Sequence, residues 1–463
     1  MNEKCWLIGS PDGPWPSHLE RAASARGLRW SRSAPSSSAL SNLPANRGIG
    51  IAVAADQLAA IASADKLRIA ERVAEGAVLY VKGGFKPGES YSMAPFANSC
   101  FTVADTNRSV GWRVTDHRSL PRVLAQETAI ADFESLRAEG TPESVEPILL
   151  ARPPGGRERP AIFTIGCGAG SVIYDLTTEE TRSSTSLLGR LEDPATFAGT
   201  IGSVVAGFAF GPTAPPEPSF NLVIDDRPAN LDYLSTARLR ALMRHLNDRF
   251  LGIHVDFGWT PDQLRPSCRY IEVLKEYQCG FVWHGLLHHV DHRTIADPDS
   301  ALGLGRHLVQ TICQRYQVRF QPVMIFPFER DTPATVALLK RTGFLAMAET
   351  PPLAPDGNGA TGGATVEVAA DRADDNFMIL KRYPVAALTR SRMLALATLR
   401  LPIIAAAHPR DVSLRRLPLP RGDGDGSFSH FDQVLGFAAE KQLRPASLER
   451  IAQEALTTRS LET

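Results

Sequence analysis

Apolar and polar positions alternate along this chain in two periods. "CWLIGS", "GIGIAVAA", "GAVLYVKGG", "SCFTVAD" and "PAIFTIGCGAGSVIYDL" read as strands, short apolar runs bounded by glycine or polar residues. Among them "SADKLRIAERVAEG" has helical spacing, with Leu67, Ile69, Ala70 and Val73 assigned to one face. The Ser-rich "SRSAPSSSALSNLPAN" reads as a loop. Strand and helix in alternation predict an open α/β domain over 1–200. The stretch "GPTAPPEPS", residues 211–219, holds four prolines and marks a linker, drawn at 201–219.

The same alternation resumes over 220–463. "FNLVID" is a strand, and "LSTARLRALMRHLNDRF" is a helix with Leu239, Leu242, Leu246 and Phe250 along one stripe. "GIHVDF", "CGFVWHG", "VRFQPVMIFPF" and "LPIIAAAHP" follow as strands. The stretch "DTPATVALLKRTGF" predicts a helix with Thr332 as N-cap, Pro333 in the first turn and Gly343 as its stop. "APDGNGATGGAT" reads as a Gly-rich excursion, and "PASLERIAQEAL" as a closing amphipathic helix.

Composition narrows the function classes. Lys+Arg and Asp+Glu both total 50, so no net charge draws the chain to nucleic acid or an anionic membrane. The most apolar stretch, "MLALATLRLPIIAAA", is interrupted by Arg400 and Pro402 and predicts no membrane span. The start "MNEKCWLIGSPDG" lacks the pattern of a signal peptide, and six cysteines without a CxxC pair read as free thiols. Together these predict a cytoplasmic protein.

Chemistry gathers where strands end. "FNLVID" runs into adjacent Asp225 and Asp226, "FVW" into His284 and His288, and "PIIAAA" into His408. Ligands of parallel α/β folds sit at the carboxyl ends of strands, so these five side chains can converge. Two histidines four residues apart can share a metal, and a carboxylate completes a hydrolytic zinc set. His289 and His292 are alternative ligands within "HHVDH". His254, Asp256 and Trp259 also fall near a strand end and are candidate substrate contacts.

On these residues, 220–457 resembles the polysaccharide deacetylases, carbohydrate esterase family four in the broad sense. "VIDDRP" is similar to their T-F-D-D-G-P motif and "HGLLH" to their H-[ST]-x-x-H. "MIFPFERDTPATVALLKRTGF" is similar to the third motif, "AAAHP" stands where the family has L-x-H, and "ASLERIAQEA" resembles its terminal helix. The resemblance implies a deformed (β/α) barrel holding one divalent metal, zinc by expectation. It implies Asp226, His284 and His288 as ligands, Asp225 as general base and His408 as general acid. Arg227 replaces the family's glycine, and Phe326 stands where the family has the arginine that orients the catalytic aspartate. Arg227 and Arg330 are the candidates to replace that arginine, and both are counted among the substrate-binding residues.

Residues 1–190 more faintly resemble the flavodoxin-like domain of class I glutamine amidotransferases. "IGCGAG" does not supply its nucleophile elbow, because Cys167 lies between two strands in a hairpin turn. The expected molecule is therefore an open flavodoxin-like parallel sheet, catalytically silent, followed by the deacetylase-type barrel. The expected function is removal of an N-acetyl or similar acyl group from a sugar or glycan precursor. Its rivals are a metal-dependent amidohydrolase acting on a non-sugar amide and an inactive carbohydrate-binding or scaffolding protein. The oligomeric state is not legible.

Overall fold

The structure is a computed structural model that describes residues 5–8, 19, 30–33, 50–104, 108–131, 133–178, 187–210, 217–225, 236–250, 252–260, 269–285, 297–327, 332–350, 376–408 and 429–460. The Gly-rich excursion lies outside these residues.

The amino-terminal unit is built on a nine-stranded sheet. Five strands, Cys5–Ile8, Trp30–Ser33, Gly50–Val53, Val78–Lys82 and Gly170–Asp175, pair in parallel. In space they run second, first, third, fourth, fifth, an order used by one group of doubly wound sheets. Beyond these five the sheet is mixed rather than parallel throughout. From Gly170–Asp175 outward, the strands Arg159–Cys167, Glu146–Arg152, Gly111–Val114 and Thr128–Ala129 pair antiparallel. Cys167 ends a hairpin strand, opposite Gly170, and Gly168 takes a positive φ of 60° in the turn. Burial pushes the Cys167 thiol up, opposite to what a nucleophile needs. Helix Ser63–Ala74 buries Ile69, Ala70 and Val73, but Leu67 is exposed. Leu67 stands two residues, about 200°, from Ile69. The Ser-rich stretch begins inside a strand, Trp30–Ser33, rather than a loop.

Residues 201–209 are not linker: they complete helix Pro194–Ala209, which starts at an N-cap where Asp193 accepts from Ala195 N at 2.9 Å. Its composition is apolar on every side because every side is covered. One side meets the sheet, where Lys82 donates to Asp175 at 3.0 Å and to Gly199 O at 2.8 Å, and Tyr80 donates to Asp175 at 2.6 Å. A Cβ on Gly202 would stand 2.0 Å from Asp175 Oδ2, so this approach requires glycine. The other side enters a continuous apolar core shared with the carboxy-terminal half. Each large side chain so buried contributes about 1.5–3 kcal/mol.

The carboxy-terminal half is a parallel barrel. In chain order its strands are Ser219–Ile224, Val255–Trp259, Gly280–His284, Phe320–Ile325, Ala346–Glu349, Met378–Lys381 and Ile403–Ala407, called first to seventh below. The sequence patterns had not flagged the fifth and sixth. Around the sheet the order is sixth, fifth, fourth, third, second, first, seventh, then a two-residue strand, Tyr383–Pro384. That last strand follows the sixth with only Arg382 between, so one extended stretch pairs with the fifth strand and then the seventh. The sheet edges thereby meet in a nearly closed barrel, with Arg382 at the seam. The expected helix over Thr332–Gly343 is present as Pro333–Arg341, with a capping box between Thr332 and Thr335 and Gly343 at φ 84°. Helix Thr236–Arg249 buries Leu239, Leu242 and Leu246, and Phe250 just beyond it is buried too.

Period-2 alternation sorts the barrel residues into two faces. Phe220, Leu222 and Ile224 join the outer core beneath the helices, while Val223, Val282, Val323 and Ile404 form a separate inner cluster. Helix Leu448–Ser460 closes the amino-terminal end of the barrel with Leu448 and Ile451.

Candidate active site

Alternation places Asp225, His284, Arg382 and His408 on the inward face at the carboxyl end of the barrel, each at or just beyond a strand terminus. Asp225 follows the first strand, and its N–H donates to Ala407 O of the seventh at 2.8 Å. His284 closes the third strand, is buried, and its carbonyl accepts from Thr260 Oγ1 at 3.1 Å. Gly258 lies between them on the second strand. A Cβ there would stand 3.3 Å from Asp225 Oδ1 and 3.3 Å from His284 Cβ, so both side chains border the space that glycine leaves open. His408 follows the seventh strand, half-buried.

Sequence reasoning missed Arg382. It is buried, and its Nη1 donates to Asp225 Oδ2 in a pair from which water is excluded on both sides. One carboxylate oxygen is thus fixed. The other, Oδ1, is buried with no hydrogen-bond partner among the described residues. An unpartnered buried carboxylate oxygen is costly to keep and marks a place for a cation, a water or a proton.

Phe326, at the position where an orienting arginine was sought, faces the outer core and is buried there. The arginine on Asp225 comes from the seam instead. Arg227 and Arg330, the candidates to replace it, lie outside the described residues, as do Asp226, His288, His289 and His292. Among the described residues no three His, Cys, Asp or Glu side chains group as a metal site. The residues present nonetheless suit a divalent cation: an inward imidazole beside a carboxylate with a free oxygen, at a strand end that leads into further His and Asp residues.

Three expected substrate contacts stand elsewhere. Asp256 faces inward at the opposite, amino-terminal end of the barrel. It accepts from Asn221 Nδ2 at 2.9 Å, Gln321 Nε2 at 2.5 Å and Leu448 N at 2.9 Å. His254 Nε2 lies 3.0 Å from the same carboxylate. Both belong to the base of the barrel, joined to the closing helix, whose Glu449 N donates to Gln321 Oε1 at 2.8 Å. Trp259, one residue after Gly258, takes the outward face and is buried in the outer core 6.5 Å from the Phe281 ring. These positions correct the expectation that the three line a substrate cleft.

No family model matches the chain, and none of the curated proteins does. Among solved structures, the chain is similar to the Bc1960 peptidoglycan N-acetylglucosamine deacetylase, at 10% identity over 52% of this chain and 91% of that one, with a TM-score of 0.31. It is similar to a family 4 carbohydrate esterase from Streptomyces lividans, at 13% identity over 51% of this chain and 94% of that one, TM-score 0.31. It is also similar to BA3943 from Bacillus anthracis, a CE4 family pseudoenzyme, at 9% identity over 52% of this chain and 67% of that one, TM-score 0.32.

Proposed function

We propose that the barrel is a metal-dependent hydrolase that removes an N-acetyl or similar acyl group from a sugar or glycan. The observation that carries this reading is the divided carboxylate of Asp225: Oδ2 is held by Arg382, while Oδ1 is buried, without a hydrogen-bond partner among the described residues, and beside the space bordered by His284.

Asp226, His284 and His288 would hold the metal, zinc by donor type. When bound there, it would acidify a water and polarise the acyl carbonyl. Asp225 receives a proton from the attacking water at Oδ1. Arg382 holds the other carboxylate oxygen and so fixes the direction of the group. His408, protonated, gives a proton to the departing nitrogen, which cannot leave as an anion. One proton is taken and one returned, so the pair balances a full hydrolysis.

The test is metal content of the purified protein by mass spectrometry, beside His284→Ala. About one equivalent in the wild type, lost in the variant, is expected for a single-metal site. Absence of metal from the wild type, even after adding it back, would sink the hydrolase reading and leave a carbohydrate-binding protein.

A further inference from the structure

The amino-terminal unit meets the barrel on the stretch of chain that carries Arg382. After Tyr383–Pro384 the chain turns at Val385–Ala387 and enters helix Arg390–Thr398. Helix Leu187–Glu192 of the amino-terminal unit packs along that helix. Arg392 Nε and Nη2 donate to the two carboxylate oxygens of Glu192 at 2.7 and 3.1 Å, and Nη1 donates to Ala387 O at 3.3 Å. Tyr383 packs on the outer core close enough to feel both charges, its phenol pushed up chiefly by burial. Neighbouring residues thus face opposite ways, Arg382 toward Asp225 and Tyr383 toward the Arg392–Glu192 pair.

The seam needs such a hold. Its ladder to the seventh strand spans two residues, and one of them, Pro384, has no N–H to give. A buried Arg–carboxylate pair repays its desolvation only when its geometry is good. We propose that Glu192 is a positioning residue for the barrel site: through Arg392 it fixes the Tyr383–Ala387 segment and so keeps Arg382 on Asp225. The proposal rests on Asp225 being the base, and it gives the amino-terminal unit a role in the site without a group that touches substrate.

The experiment uses the full chain and four variants: Glu192→Gln, Glu192→Asp, Arg382→Gln and the double variant with both Gln substitutions. Hydrogen exchange across 376–389 is measured first, because it needs no substrate. Exchange there rises in Glu192→Gln, stays unchanged across 50–82, and returns toward wild type in Glu192→Asp. With a fully N-acetylated chitooligosaccharide as probe, Glu192→Gln lowers kcat more than it raises KM. In the Arg382→Gln background it lowers kcat no further, because the two residues act through one contact. Wild-type exchange across 376–389 in Glu192→Gln, or kcat losses that multiply in the double variant, would overturn the proposal. If the wild type hydrolyses nothing, the proposed function falls, and exchange alone decides whether Glu192 holds the seam.

Discussion

Arg382 and Asp225, 157 residues apart in the chain, form an ion pair inside the barrel with both partners shielded from water. Removing one partner leaves the other charge buried and unpaired. Arg382→Met is therefore expected to destabilise the protein by about 3–5 kcal/mol. Adding Asp225→Asn should recover part of that loss, since neither charge then remains. Urea unfolding of the single and double variants checks this. A double variant no more stable than Arg382→Met would show that the pair is not the source of the loss.

Asp225→Asn by itself separates chemistry from binding. It keeps the side-chain shape and removes the proposed proton acceptor, so in the folded fraction hydrolysis of an N-acetylated chitooligosaccharide should fall by about 10²–10⁴. Metal content and affinity for the intact oligosaccharide should persist. Calorimetric titration beside an acetate-release assay reads both. Unchanged hydrolysis would place the base elsewhere.

Gly258 keeps open the space between Asp225 and His284. Its missing Cβ would already sit 3.3 Å from atoms of both, closer than side chains normally tolerate. Gly258→Val should abolish metal uptake and hydrolysis while the far-ultraviolet dichroism of the barrel persists. Metal binding at wild-type affinity in this variant would mean that the space is not part of the site.

Asp256 provides the contrasting case. Its carboxylate satisfies Asn221, Gln321 and the first turn of the closing helix at the far end of the barrel. Asp256→Ala strands those donors, each at about 1–3 kcal/mol. Thermal stability should drop clearly, while KM for the oligosaccharide stays at its wild-type value in the folded fraction. A raised KM without loss of stability would return Asp256 to the substrate site.

Much of this arrangement was written in the period of the strands. Asp225, His284 and His408 announce themselves because each interrupts or ends an apolar run, and each lies at or just beyond the carboxyl end of its strand. Alternation would also have corrected Trp259, which takes the opposite face from Gly258 and Asp256. Arg382 was harder to find. Met378, Leu380 and Arg382 follow the inward period of "FMILKRYP", but that run had not been read as a strand, and its partner across the barrel is fixed only by closure. The prolines of 211–219 drew the linker too early, because an apolar helix sandwiched between two bodies carries no polar face to announce it.

The seam also ties chemical readiness to the completion of folding. Arg382 lies in the stretch 378–384 that joins the fifth and seventh strands, so its contact with Asp225 requires the join that nearly closes the barrel. Without that join, the Asp225 carboxylate lacks the contact that fixes one of its oxygens. On the proposed reading, a barrel left open at the seam therefore has its base present but not aimed.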